Sequence, residues 1–153
     1  MRKWLVVAFF LIPLTGYSTD GMISIQSTNG SVAEVANRLE SILSKKGLKI
    51  FNRISHSDGA KTVDLKLAPT ELLIFGNPKV GTPLMQCNQT TGIDLPQKML
   101  IWQDDKDQVW LTYNDPQYIA ERHGISDNCA KVITKIGKVL NKLANAASKP
   151  LPQ

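Results

Sequence analysis

The chain has 153 residues, 42% of them hydrophobic and 20% charged, with 18 Lys plus Arg against 13 Asp plus Glu. That is enough apolar material for one domain with its own core, and it excludes wholesale disorder. The net charge of +5 is too mild to argue by itself for a nucleic-acid partner.

The first segment, "MRKWLVVAFFLIPLTGYS", opens on Arg2 and Lys3 and continues in an apolar run from Trp4 to Leu14. The run is shorter than the roughly 20 residues a spanning helix needs. Gly16 and Ser18 stand at the −3 and −1 positions of a signal-peptidase site. The pattern predicts a secretory signal over 1–18, cleaved after Ser18, and a single domain over 19–150. No cysteine follows the run, which argues against a lipid anchor. Loss of Arg2 and Lys3 takes the net charge from +5 to about +3 and leaves no membrane span. The expected location is the periplasm or the exterior. There an even pair of cysteines often bridges, so Cys87 and Cys129 are expected to form a disulfide rather than two buried thiols.

Next, "MISIQST" alternates weakly and predicts a first strand. In "GSVAEVANRLESILSKKG", Ser31 and Glu34 form a capping box. Val32, Val35, Leu39, Ile42 and Leu43 recur at helical spacing, and Gly47 ends the helix. "LKIFNRISH" predicts a second strand, with Leu48, Ile50, Ile54 and His56 on the inward face. Phe51 and Arg53 fall on the other. "SDGAKTVDLKLAP" is irregular or briefly helical, and "TELLIF" is a third strand. "GNPKVG" reads as a loop whose glycines allow positive φ. Thr82-Pro83 reads as a cap followed by Pro at the first position of a short helix. "QKMLIWQ" and "QVWLTYN" form a hairpin across "DDKD", with Trp102 and Trp110 placed to pair across it. Asp115-Pro116 opens another short helix. The last helix, about 128–147, places Lys131, Lys135, Lys138 and Lys142 within about 60° of one another. Its core face is read as Val132, Ile133, Ile136, Val139, Leu140 and Leu143. The tail "SKPLPQ" is expected to fray. Hairpin connectivity and few βαβ units favour an α+β domain, with an antiparallel sheet of about five strands and two long helices on one face, in the order β-α-β4-α.

Gly76 and Gly81 enclose four residues, as the glycines of a P-loop do, but Thr82-Pro83 stands where Lys and Ser or Thr are required. A looser reading keeps an anion at a helix N-terminus, on Lys79 and free loop N–H groups. His56 and His123, with Met85 or Cys87, could in principle hold copper, haem or zinc, although no HxH, HExxH, CxxC or CxxCH spacing supports it. No cofactor or metal is therefore expected. His123 could act as a general base oriented by Asp115 or Glu121, but no nucleophile elbow is present. Trp102, Trp110, Tyr113 and Tyr118 read first as packing residues and second as a pocket wall.

Three segments, "LLIFGNPKVGTPLM", "IDLPQKMLIW" and "YNDPQYIAERHGI", together resemble the signature stretches of the family called domain of unknown function 302. The first carries Phe75-Gly76-Asn77-Pro78 and Gly81-Thr82-Pro83-Leu84-Met85. The second carries Asp94-Leu95-Pro96, and the third Tyr113, Asp115-Pro116 and Arg122-His123-Gly124. The resemblance covers nearly all of the chain after the leader. It implies a fold similar to that of the TATA-binding protein and makes a homodimer plausible. It brings no established reaction. The chain departs from the family pattern at Ser55-His56, where an acid commonly precedes the histidine.

The leading expectation is a non-catalytic module that binds a small ligand or a protein partner. Its pocket is expected near Gly76, Asn77, Lys79, Gly81 and Thr82, with His56 and His123 as polar contributors. The alternatives are a hydrolase or isomerase using His123 with Asp115, and a metal or haem carrier.

Overall fold

The computed structural model describes residues 17–19, 21–125 and 129–150. Most of the expected leader (1–16) and the last three residues of the tail lie outside the described residues. Strands β1 (Tyr17–Thr19) and β2 (Met22–Gln26) precede helix α1 (Val32–Lys45). Strand β3 (Lys49–Ser55) runs into the short helix α2 (His56–Lys61), and β4 (Thr70–Gly76) into α3 (Pro78–Cys87). A 3-10 turn (Gln89–Ile93) leads to β5 (Gln97–Gln103) and β6 (Val109–Asn114), followed by α4 (Pro116–Arg122) and α5 (Ala130–Ala147). The strands form one antiparallel sheet in the order β1-β2-β6-β5-β4-β3. Leaving aside the three-residue β1, the chain has the expected α+β architecture of five strands and two long helices. The expected cleavage after Ser18 would fall inside β1.

Helix α1 starts where its local chemistry directs. Ser31 caps Glu34 N–H, Glu34 returns a bond to Ser31 N–H at 2.7 Å, and Gly47 takes φ +65° beyond the last turn. Its apolar stripe and that of α5 cover one face of the sheet. Leu73 and Phe75 of β4, Met99 and Ile101 of β5, and Leu111 of β6 are all buried there. The opposite face carries a cross-strand Trp102–Trp110 stack, with ring centroids 6.4 Å apart.

Two readings of the sequence change here. A bulge between Ile50 and Asn52 resets the alternation of β3. Ile50 lies opposite Phe75 and Arg53 opposite Leu73, so both address the helices, while Ile54 lies opposite Leu72 on the other face. Arg53 uses that position to bond Glu71 at 2.6 Å and Glu40 of α1 at 3.0 Å. The bond it donates to Glu71, and then that to Glu40, holds its guanidinium above its ordinary value. The tail also departs from expectation. Ser148 is buried, and its carbonyl accepts from Thr28 N–H at 2.9 Å and from the Ser27 hydroxyl at 3.1 Å.

Tyr113 is 2% exposed on the helix face, and its hydroxyl is buried without a hydrogen-bond partner among the described residues. Burial pushes this phenol above its ordinary 10, and the nearby Asn141 offsets the effect only in part. Ionisation of this phenol costs the fold nothing below the unfolded pKa of about 10. Stability falls as pH rises from there through the raised value, because the unfolded chain releases the proton first. Tyr113→Phe is therefore expected to leave stability at pH 7 unchanged or raise it by up to about 1 kcal/mol. It should also remove part of the alkaline decline. Urea unfolding at pH 7 and above pH 10 checks both, and a loss of stability at pH 7 would show that the hydroxyl is needed.

Candidate functional site

Where β4 leaves the sheet and β5 enters it, the molecule has an apolar cleft of about 340 Å³. Leu48 and Phe51 supply one side and Phe75 the floor. Helix α3 contributes Val80, Gly81 and Met85, the segment before β5 contributes Gly92, Leu95 and Pro96, and α5 contributes Ile136, Val139 and Leu140. The volume is at the small end of ligand pockets, roughly 300–1,000 Å³. Val139 was expected in the core; it is 39% exposed at this cleft.

The signature stretch builds much of the cleft, but not as a loop. Asn77 is the N-cap of α3 and Pro78 its first residue, one turn earlier than Thr82-Pro83 suggested. Pro83 lies inside the helix and removes the N–H that would have bonded Lys79 C=O. Gly76 ends β4 and Gly81 is helical, and neither has positive φ. A Cβ would fit at either position in ordinary van der Waals contact, so only a longer side chain would intrude on the cleft. A Cβ on Gly76 would meet Pro96 and Phe51 at 3.6 and 3.7 Å, and one on Gly81 would meet Leu95 at 3.6 Å.

The anion reading does not survive this geometry. Lys79 N–H donates to Asn77 Oδ1 at 2.9 Å, while Val80 and Gly81 N–H donate to Asn77 C=O at 2.9 and 3.0 Å. Pro78 has no N–H. The first turn of α3 is thus satisfied internally, and Lys79 is exposed away from the cleft lining.

Of the residues expected at the site, Gly76, Asn77, Gly81 and Thr82 line the cleft, whereas Lys79, His56 and His123 do not. His56 is not a strand residue; it opens α2 and is exposed. Ser55 caps that helix by accepting from Asp58 N–H at 3.1 Å. His56 follows the β3 residue that pairs with Glu71, at the end of β4 remote from Phe75, so the two histidines occupy opposite ends of the sheet. Trp102 and Trp110 lie on the other face, and neither they nor Tyr113 and Tyr118 line the cleft.

His123 stands behind the cleft wall. Its Nε2 is 2.6 Å from Asp94 Oδ2 and its Nδ1 is 2.8 Å from Thr90 Oγ1. Thr90 in turn donates to Asn88 Oδ1 at 2.8 Å, and Asn88 Nδ2 donates to His123 C=O at 2.6 Å. Arg122 Nη1 reaches the other Asp94 oxygen at 3.2 Å. The His123 side chain is 6% exposed and that of Asp94 10%. Both ring nitrogens are therefore engaged, and neither faces an open cleft as a general base would. The expected orienting residue, Asp115, is instead the N-cap of α4 and accepts from Gln117 N–H at 2.9 Å. Sequence reading missed Asp94 in this role; its one signal was its place in the Asp94-Leu95-Pro96 stretch. The network fixes segment 88–96, whose opposite side forms a wall of the cleft.

A disulfide between Cys87 and Cys129 ties the end of α3 to the start of α5, the two helices that flank the cleft. Among the described residues, no group of three or more His, Cys, Asp or Glu side chains could hold a metal ion. No described helix is long and apolar enough to cross a membrane.

Fold and site thus define an α+β protein of one antiparallel sheet, backed on one face by two long helices, with an apolar cleft at the β4–β5 end. The chain belongs to the family described as domain of unknown function DUF302, which matches residues 23–143. A crystal structure of an uncharacterized conserved DUF302 protein from Bacillus stearothermophilus superposes with a TM-score of 0.74 at 18% identity. It covers 84% of this chain and 99% of its own. That likeness establishes the fold alone.

The chain is also similar to curated proteins named for ion transport. Fluoride-specific ion channel FluC 1 of Brucella suis biovar 1 (strain 1330) is 42% identical over 131 residues, 83% of this chain and 51% of that protein. Fluoride-specific ion channel FluC 2 of Brucella melitensis biotype 1 is 42% identical over 131 residues, 83% of this chain and 48% of that protein. The chain spans about half the length of these relatives.

Proposed function

We propose that this protein is an exported, non-catalytic module that binds a small, largely apolar ligand in the cleft between α3 and α5. The observation that carries the reading is the cleft itself, about 340 Å³ and bounded by the Gly76–Met85 signature. The engagement of both His123 nitrogens supports binding over acid–base catalysis. The basic start and short apolar run of the leader support export, which N-terminal sequencing of protein from its native host would test.

The binding test uses a neutral apolar dye, N-phenyl-1-naphthylamine, whose emission rises on burial. Saturable enhancement is expected. Gly81→Leu should abolish it without loss of stability, since Gly81 is helical and its added side chain would enter the cleft. Absence of saturable binding to the unaltered protein would sink the reading.

A second reading rests on the FluC-named relatives. About half of each lies beyond the match, and the matching module here has no described membrane-crossing helix. The partial match supports a module that works alongside a membrane ion channel. Deletion of the gene should then lower fluoride tolerance of the host, and unchanged tolerance would remove the reading.

A further inference from the structure

We infer that the ligand of the cleft is a single-chain anionic amphiphile, its tail among Phe75, Met85 and Leu140 and its acid group at Lys135. The inference rests on the proposed binding function and names the chemistry of its ligand.

Among the described residues, Lys135 is the one charged residue in the cleft lining, and no acid accompanies it. It is shared with a shallow depression along α5 that also includes Lys131, Lys138, Lys142 and Val139. Helix α5 contains four lysines and no Asp or Glu. Among the described residues none of these lysines takes part in an ion pair, although other cations of the protein do. The apolar cleft therefore opens directly onto a cationic surface whose lysines have no ion-pair partner among the described residues, with Val139 common to both. On the opposite rim Lys49 Nζ sits 5.0 Å above the ring of Phe51. A neutral apolar ligand would leave this asymmetry unused. A cationic ligand would be repelled, and a ligand with a terminal carboxylate, sulfate or phosphate meets both halves of the surface. The small volume suits one chain rather than a two-chain lipid.

The experiment compares decanoate with decanol by displacement of the naphthylamine dye. Decanoate is expected to bind more tightly, and to weaken as salt is raised. Lys135→Glu should lower decanoate affinity about tenfold and Lys135→Gln about threefold, with decanol within about twofold of the unaltered protein. Gly81→Leu should remove both ligands. If decanol competes as well as decanoate and Lys135→Glu changes neither, the inference is overturned while the binding reading stands. If neither displaces a dye that binds, the inference fails alone; if the dye does not bind at all, the binding reading fails with it. A flotation arm with phosphatidylglycerol vesicles separates surface adsorption. Decanoate binding that survives Gly81→Leu, together with vesicle binding through the same lysines, would overturn the cleft assignment.

Discussion

Reduction of the Cys87–Cys129 disulfide, or its replacement by Cys87→Ser with Cys129→Ser, is expected to lower the unfolding free energy by about 4 kcal/mol. The estimate follows from the sequence separation of 42 and the entropy that a closed loop of that length removes from the unfolded chain. The loop holds the 3-10 turn, β5, β6 and α4, so in the unfolded state the cross-link restrains the segment that supplies two of the six strands. Urea unfolding at neutral pH, with and without reductant, measures the difference. The slope against urea should rise on reduction, because the freed chain expands further. Intact mass should show the loss of two hydrogens in the untreated protein. A change under about 1 kcal/mol would mean that the bridge barely restrains the unfolded chain. Because the bridged helices are two walls of the cleft, dye affinity is expected to fall in the double variant even where the protein remains folded.

Those features legible in the sequence were the ones fixed by near neighbours. The capping box of Ser31 and Glu34, the cap-plus-Pro start at Asp115-Pro116 and the stripe of α5 each depend on residues within a turn or two. Each predicted its element. The start of α3 was ambiguous for a local reason. Asn77-Pro78 and Thr82-Pro83 carry the same code five residues apart, and the earlier pair prevails because Asn77 satisfies the first turn. The bulge in β3 was not legible, since counting alternate residues assumes one residue per pleat. One extra residue moved Arg53 to the helix side, and the Ser55 cap ended the strand before His56. The cleft is the least local feature. The Phe75–Met85 stretch marked one wall, but the others come from β3, segment 92–97 and α5, which only the tertiary fold brings together. The pairing of His123 with Asp94 spans 29 residues, and Asp115, nearer in sequence, was the more visible candidate.

Asp94→Ala is the variant that most directly separates these two aspartates. It removes the acceptor of His123 Nε2 and of Arg122, and leaves that ring nitrogen without a partner in a side chain only 6% exposed. The expected loss is about 3 kcal/mol, between the cost of an unsatisfied buried donor and that of a broken buried ion pair. Asp115→Ala removes only an N-cap bond, for which about 1 kcal/mol is expected. Asp94→Asn, which keeps an acceptor oxygen of similar shape, should fall between the two. The same series tests whether the network positions the cleft wall. Asn88, Thr90 and Asp94 hold the segment that presents Gly92, Leu95 and Pro96 to the cleft. Dye affinity should therefore drop in Asp94→Ala at a urea concentration where the variant is still folded, and remain unchanged in Asp115→Ala. Equal losses of stability in the two alanine variants would remove the distinction. Loss of stability in Asp94→Ala with full dye affinity would show that His123 and Asp94 brace the fold without shaping the cleft.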